Sequence, residues 1–235
     1  MKRTWPYAVL ALLTIMGCAG GDDMDEDAAA ADMDAPASAD PDLSPGGEAT
    51  GLPAGYAVRF DREGSDPADF QVTQADGALE VRTGPAGILY DESHAVAEGD
   101  YTVSATFTEI GAPPNHREAF GLIIGGSDLQ SDAQAYTYFL VRADGSYLIK
   151  QRDGGQTSDV SPNGWNPADA VNQAAEAGDV TNELSIQVRG EQAHFLVNGT
   201  EVAVHPVADI DAYGITGVRI NHNLNVRVED FEVSS

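Results

Sequence analysis

The chain has 235 residues, 42% of them hydrophobic, with 38 Asp plus Glu against 12 Lys plus Arg, a net charge of -26 and a single cysteine. That length and apolar content suffice for a sizeable core in one large domain or two small ones, which argues against wholesale disorder. The negative balance repels phosphate backbones and argues against nucleic acid as a partner, and one cysteine excludes both an internal disulfide and a multi-cysteine zinc or iron-sulfur centre.

At the N-terminus Lys2 and Arg3 precede an apolar run, Tyr7 to Met16, which ends in Gly17 and Cys18. Charged, hydrophobic and small-residue zones in that order are those of a secretory signal, and the run is too short to span a bilayer. Ile15-Met16-Gly17-Cys18 resembles the lipobox of bacterial lipoproteins, although Met replaces the commoner small residue at its middle position. The resemblance implies that residues 1-17 are removed and that the Cys18 sulfur carries a diacylglycerol. At about 0.8 kcal/mol per buried methylene, two or more acyl chains anchor a protein stably where one does not. The expected location is extracytoplasmic and membrane-anchored: periplasmic or at the cell surface, and at the outer membrane in a Gram-negative cell.

Residues 19-50 hold ten acidic groups and no basic one, among mostly Ala, Pro, Gly and Ser. This composition predicts a solvated, disordered linker, so the segment from Cys18 to residue 50 is expected to act as a tether. Such a chain spans roughly 30 Å, and repulsion between its carboxylates stretches it further. Its Asp22, Asp23, Asp25 and Asp27 lack the bend glycine and the distant Glu of a calcium loop.

From Gly51 onward, short segments with period-two alternation are separated by Gly, Pro, Asn and Asp clusters, the pattern of strands and turns. In chain order the predicted strands are Tyr56 to Phe60, Phe70 to Thr73, Ala78 to Arg82, Gly87 to Tyr90, Tyr101 to Glu109, Phe120 to Ile124 and Tyr136 to Arg142. They continue with Ser146 to Gln151, Glu183 to Arg189, Ala193 to Val197, Val202 to His205, Gly217 to Asn221 and Asn225 to Val233. Pro167 to Ala177 is the one predicted helical stretch, opened by Pro and closed by Gly178. Asp144-Gly145 and Asn198-Gly199 supply the positive φ of tight hairpins. With no βαβ rhythm, residues 51-235 are expected to form one all-β domain, an antiparallel β-sandwich, because a single open sheet would leave an apolar face wet.

The segments Gly121 to Arg152, Asn182 to Gly199 and Gly214 to Val233 are similar to the concanavalin A-like lectin/glucanase superfamily, most of all to its laminin-G-like branch and the bacterial 3-keto-disaccharide hydrolase type. The residues that carry the likeness are a strand ending in Val197-Asn198-Gly199, the strand Gly217-Val218-Arg219-Ile220-Asn221-His222, and a closing strand with Asp230-Phe231. The resemblance implies a jelly-roll sandwich, a fold that hosts lectins, hydrolases and adhesion modules alike.

Glycoside hydrolysis needs two carboxyls about 5 to 9 Å apart. The nearest approach is Glu229-Asp230-Phe231-Glu232, where period two puts Glu229 and Phe231 on one face and Asp230 and Glu232 on the other. Glu109 and Glu118 flank a loop and are expected to be solvated. The five histidines make no His-x-His or His-Glu-x-x-His pair, so no metal site is predicted. No cofactor is predicted, with calcium left open.

Sugar binding asks for an aromatic ring against the apolar face of a pyranose and for planar polar groups on its hydroxyls. Tyr136, Tyr138 and Arg142 share one face of their strand, and Lys150 and Arg152 share a face of the next, about 5 Å away if the registers agree. Trp165 and the Asn221-His222-Asn223 turn are candidates to complete a wall. The expected function is that of a surface lipoprotein whose sandwich binds carbohydrate or a surface protein without catalysis. A glycoside hydrolase of the 3-keto-disaccharide type and a structural or adhesion module are the alternatives.

Overall fold

The computed structural model describes residues 49-62 and 64-235, so the signal segment, Cys18 and nearly all of the acidic segment lie outside the described residues. Fifteen strands are found among them. They are β1 (Tyr56–Phe60), β2 (Phe70–Ala75), β3 (Ala78–Thr83), β4 (Gly87–Val96), β5 (Tyr101–Ala112), β6 (Ala119–Ser127), β7 (Ala135–Arg142) and β8 (Ser146–Asp153). The chain continues through β9 (Gln156–Asp159), β10 (Asn166–Pro167), β11 (Gly178–Arg189), β12 (Gln192–Val197), β13 (Thr200–Pro206), β14 (Gly214–Ile220) and β15 (Asn225–Ser234).

The strands form two antiparallel sheets. One runs β1-β4-β14-β6-β7-β8, with β10 and β9 following one another along the free edge of β8; the other runs β13-β12-β11-β5-β15-β3-β2. Period-two alternation decides what lies between them. Tyr101, Val103, Ala105 and Phe107 of β5 and Leu184, Ile186 and Val188 of β11 meet Phe120, Leu122 and Ile124 of β6 and Phe139 and Val141 of β7 in one core. Phe107 stacks on Phe120 at 5.6 Å between centroids, and Phe139 meets Phe195 edge-on at 5.4 Å. Each such ring contributes about 1.5–3 kcal/mol by leaving water. Ala49 is also buried in this core, and Thr50 bridges Gln71.

The Asn198-Gly199 turn joins Val197 directly to Thr200, with φ of 50° and 74° at its two central residues, as a two-residue hairpin of the primed type demands. At Asp144-Gly145 the loop is one residue longer, since Arg142 pairs with Ser146 and the Gly145 amide donates to the Arg142 carbonyl.

Two expectations are corrected. Residues 167-177 form no helix: Pro167 pairs with Ser146 as part of β10, and the rest is turn, bend and irregular chain. The backbone there is held by the turn between β7 and β8 and by β11 instead. Ala168 N–H donates to Gly145, Ala174 N–H donates to Ala143, and Asn172 N–H donates to the Asn182 side chain. An isolated helix this short is marginal in water, so these tertiary hydrogen bonds win. In β15 a bulge with φ of 53° at Asp230 re-phases the strand. Val226 and Val228 face the core before it and Phe231 and Val233 after it, so Glu229 and Phe231 stand on opposite faces instead of sharing one.

Candidate functional site

The outer face of the eight-stranded sheet carries the unusual chemistry. Alternation and register bring to it Arg59 of β1, Ile88 and Tyr90 of β4, Arg219 of β14, Ile123 of β6, Tyr136, Tyr138, Leu140 and Arg142 of β7, and Leu148, Lys150 and Arg152 of β8. Residues 51-235 contain ten Lys plus Arg against 28 Asp plus Glu. Half of those cations therefore stand on this one face.

They are built in. Arg219, 3% exposed, forms a two-pronged pair with Asp61: Nη1 donates to Oδ1 at 2.8 Å and Nη2 donates to Oδ2. Its Nη1 also donates to the Tyr136 hydroxyl at 3.2 Å, and its guanidinium lies 5.1 Å from the Tyr138 ring centre. Lys150 stands 3.7 Å from Asp159, and Arg59 3.8 Å from Asp132. Burial by itself would raise the Asp61 carboxyl, but the charge and hydrogen bonds of Arg219 outweigh it and hold the group below the ordinary carboxylate range. Asp61 is thus an ionised acceptor with a fixed orientation.

Beside the cations lies a small apolar cluster of Ile88, Tyr90, Ile123, Leu129, Tyr136, Tyr138, Leu140 and Leu148, with Trp165 packed against it. Leu129 and Gln130 come from the connection between β6 and β7. The Gln130 side chain donates to the Val58 carbonyl and to the Tyr90 hydroxyl, which ties that connection down.

The sequence-predicted residues separate into two groups. Tyr136 faces Arg152 and Tyr138 faces Lys150, so the registers do agree. Both rings, however, are 1% exposed and form part of the apolar cluster, not an open platform. The physical reason is the company they keep, since Arg219 lies against both rings and Leu129 packs into the same cluster. Arg142, Trp165, Asn221 and His222 gather instead at one end of the face. The Arg142 guanidinium sits 3.4 Å from the centre of the half-buried Trp165 ring, a cation–π contact. Burial lowers Arg142 to about 10, with Asp144 and Glu118 pulling it back up, and it remains cationic at neutral pH. Asn221 N–H donates to Ala119, which pairs with Arg142, and His222 stands 3.8 Å from Glu118.

Sequence reasoning missed Asp61, Arg59 and Arg219. The signal is visible in hindsight as an Arg between apolar residues in Ala57-Val58-Arg59-Phe60 and Gly217-Val218-Arg219-Ile220. Glu109 also departs from expectation. It lies on the inward-facing side of β5, is 2% exposed, and meets the His116 Nδ1 at 2.5 Å. Burial pushes its carboxyl up, against the opposing effect of His116.

A cavity of about 200 Å³ opens at the end of the face that holds Asp61. Asp61, Arg62 and Ser65 line it from the segment after β1, Pro85 and Ala86 from the segment before β4, and His222 from the segment after β14. Among the described residues, no three His, Cys, Asp or Glu side chains converge to hold a metal ion.

No protein-family model matches this chain, nor does any curated protein. Solved structures do. Over 77% of this chain and 96% of that one, it is similar to the carbohydrate binding module CBM66 from Bacillus subtilis, with a TM-score of 0.53 and 13% identity. The metal-free carbohydrate recognition domain of Emp46p gives a TM-score of 0.53 at 11% identity, over 77% of this chain and 88% of that one. A protein of unknown function with a galectin-like fold from Bacillus subtilis gives 0.50 at 11% identity, over 76% and 88%. The fold is a concanavalin A-like sandwich. At these identities the likeness concerns the fold.

Proposed function

We propose that the chain is an extracytoplasmic lipoprotein whose sandwich binds carbohydrate, without turning it over, on the outer face of the eight-stranded sheet. One observation carries this. In a domain with nearly three acids for every base, half the bases stand with aromatic rings on a single face, which ends in a cavity walled by an ionised carboxylate and an imidazole. The polar groups of the cavity wall, with the half-buried Trp165 ring at the same end of the face, suit the hydroxyl and C–H surface of a sugar. The names of two structural neighbours, a carbohydrate binding module and a carbohydrate recognition domain, point the same way.

The carboxylates support binding over catalysis. A glycosidase pairs a protonated acid with an ionised one across the scissile bond. Asp61 is held ionised on the outer face, whereas Glu109, pushed towards protonation, faces inward from the other sheet.

Anchoring rests on the Ile15-Met16-Gly17-Cys18 motif and the acidic tether behind it. Metabolic labelling with a radioactive fatty acid should mark the wild-type chain and leave Cys18→Ser unlabelled; an unlabelled wild type ends the lipoprotein proposal. A glycan array probed with the full chain, with and without calcium, tests the rest. Retention of intact glycans is expected, and cleavage of a bound glycan or an empty array refutes a binding role of this kind. A signal that needs calcium would add a metal to the site.

A further inference from the structure

Resting on that proposal, we infer that the cavity beside Asp61 is the primary subsite, that it takes a single uncharged sugar ring at the end of a chain, and that the rest of the ligand runs from it towards Trp165. Size sets the first part. At about 30 Å³ per water molecule, 200 Å³ holds six or seven waters, the order of one sugar ring, and it falls short of the roughly 300 Å³ at which pockets for larger ligands begin.

The chemistry of the wall sets the second part. A carboxylate has two lone pairs on each oxygen, and the pair with Arg219 uses one on each. The remaining acceptor capacity of Asp61 faces a cavity that neighbouring hydroxyls can enter as donors, while His222 and Ser65 supply polar partners from the other walls. A ligand carboxylate placed there would meet a carboxylate held ionised, and the cation that holds it is already engaged on both prongs. Among the described residues that line it, Arg62 is the one further arginine or lysine, and it is exposed. The domain as a whole, with its 28 acids and ten bases, repels anions.

Topology sets the direction. The cavity lies over the ends of β1, β4 and β14, at one side of the sheet. From His222 the same end of the face continues through Glu118 and Asn221 to Arg142 and Trp165, across β6, β7 and β8. With about 4.8 Å between strands, β14 and the β10 edge near Trp165 lie about 19 Å apart. A chain end seated at Asp61 leaves the following rings on that path.

The test titrates the full chain with glucose, galactose, mannose and fructose, and with glucuronate and galacturonate, by saturation-transfer NMR. At least one neutral sugar is expected to bind, at least tenfold more tightly than either uronate. Ser65→Trp, which fills the cavity from a partly exposed position, is expected to weaken that sugar at least tenfold. His222→Gln should weaken it several-fold, and Glu183→Gln, on the outer face of the opposite sheet, should leave it unchanged. Uronates bound as well as the neutral sugars, no neutral sugar bound, or a neutral sugar indifferent to both cavity variants overturns the subsite. Array glycans that still bind Ser65→Trp with wild-type affinity overturn the subsite while leaving carbohydrate binding intact; a wild type that binds no glycan overturns both.

Discussion

The pair between Arg219 and Asp61 holds the face together, and removing either partner gives unequal effects. In Asp61→Asn the guanidinium stays 3% exposed with its countercharge gone. Losing one partner of a buried pair costs about 3–5 kcal/mol, and a Coulomb energy of about 4 kcal/mol at an effective dielectric constant of 20 gives the same order. In Arg219→Met the abandoned carboxylate is 15% exposed on the cavity wall and reaches water, so the expected cost is smaller, about 1–2 kcal/mol. The double variant Asp61→Asn with Arg219→Met removes both charges and should lie within about 2 kcal/mol of wild type. Urea unfolding of all four proteins closes the cycle. The acid arm fixes the sign: the folded Asp61 value is depressed, so its stabilisation is complete above the ordinary aspartate value of about 3.9 and is lost as pH falls below that through the depressed one. The gap between wild type and Asp61→Asn should therefore stand undiminished at pH 7 and narrow only under more acid conditions. An Asp61→Asn variant within 1 kcal/mol of wild type, or a strictly additive cycle, would falsify the view that this pair is buried and coupled.

Glu109 should behave in the opposite sense, because burial raises its folded value: its contribution is present below the ordinary glutamate range and is lost as pH rises through the raised value. Glu109→Gln should therefore gain on wild type in melting temperature between pH 4.5 and pH 8, and an unchanged difference across that range refutes the burial of its charge. Gly121→Ala places a Cβ 2.0 Å from the Phe139 carbonyl oxygen, so the ladder between β6 and β7 has to shift, at about 2–3 kcal/mol in chemical denaturation. Gly199→Ala, at φ of 74° in an open turn with no steric neighbour, should cost only about 1 kcal/mol. Trp165→Ala and Arg142→Ala should each lose about 0.5–2 kcal/mol of stability and be non-additive when combined, as expected of a desolvated cation–π contact.

Most of the fold was legible because the alternation that defines a strand is written residue by residue. Each of the thirteen predicted segments falls on a strand, and most are extended at their ends by the ladders they join: Gly87 to Tyr90 grows to Val96 along β14, and Glu183 to Arg189 starts at Gly178 along β5, while β14 itself stops at Ile220, one residue short of the predicted Asn221. What escaped has no apolar period. Gln156–Asp159 is polar throughout and Asn166–Pro167 is two residues long, and both are strands only because the edge of β8 offers hydrogen bonds. The stretch Pro167 to Ala177 failed for the converse reason. Its helix formers are a local preference, and Asn182, Ala143 and Gly145 claim the backbone groups that a helix would have used.

The site was half legible, and the boundary falls where alternation stops carrying information. Period two correctly places Tyr136, Tyr138 and Arg142 on one face and sets Lys150 and Arg152 opposite the tyrosines. It says nothing about what lies on top of that face. An Arg in an apolar strand such as Val218-Arg219-Ile220 signals that its outer surface is not simple solvent, because a guanidinium loses several kcal/mol of hydration on burial unless a carboxylate meets it. That partner, Asp61, is 158 residues away in the chain and becomes its neighbour only through the order β1-β4-β14. Once the two meet, the tyrosines lie beneath a charged pair and serve as its floor. The surface left for the proposed ligand is then the far side of Asp61, the cavity wall, and the acid that orders this face is also the group we propose to read a hydroxyl.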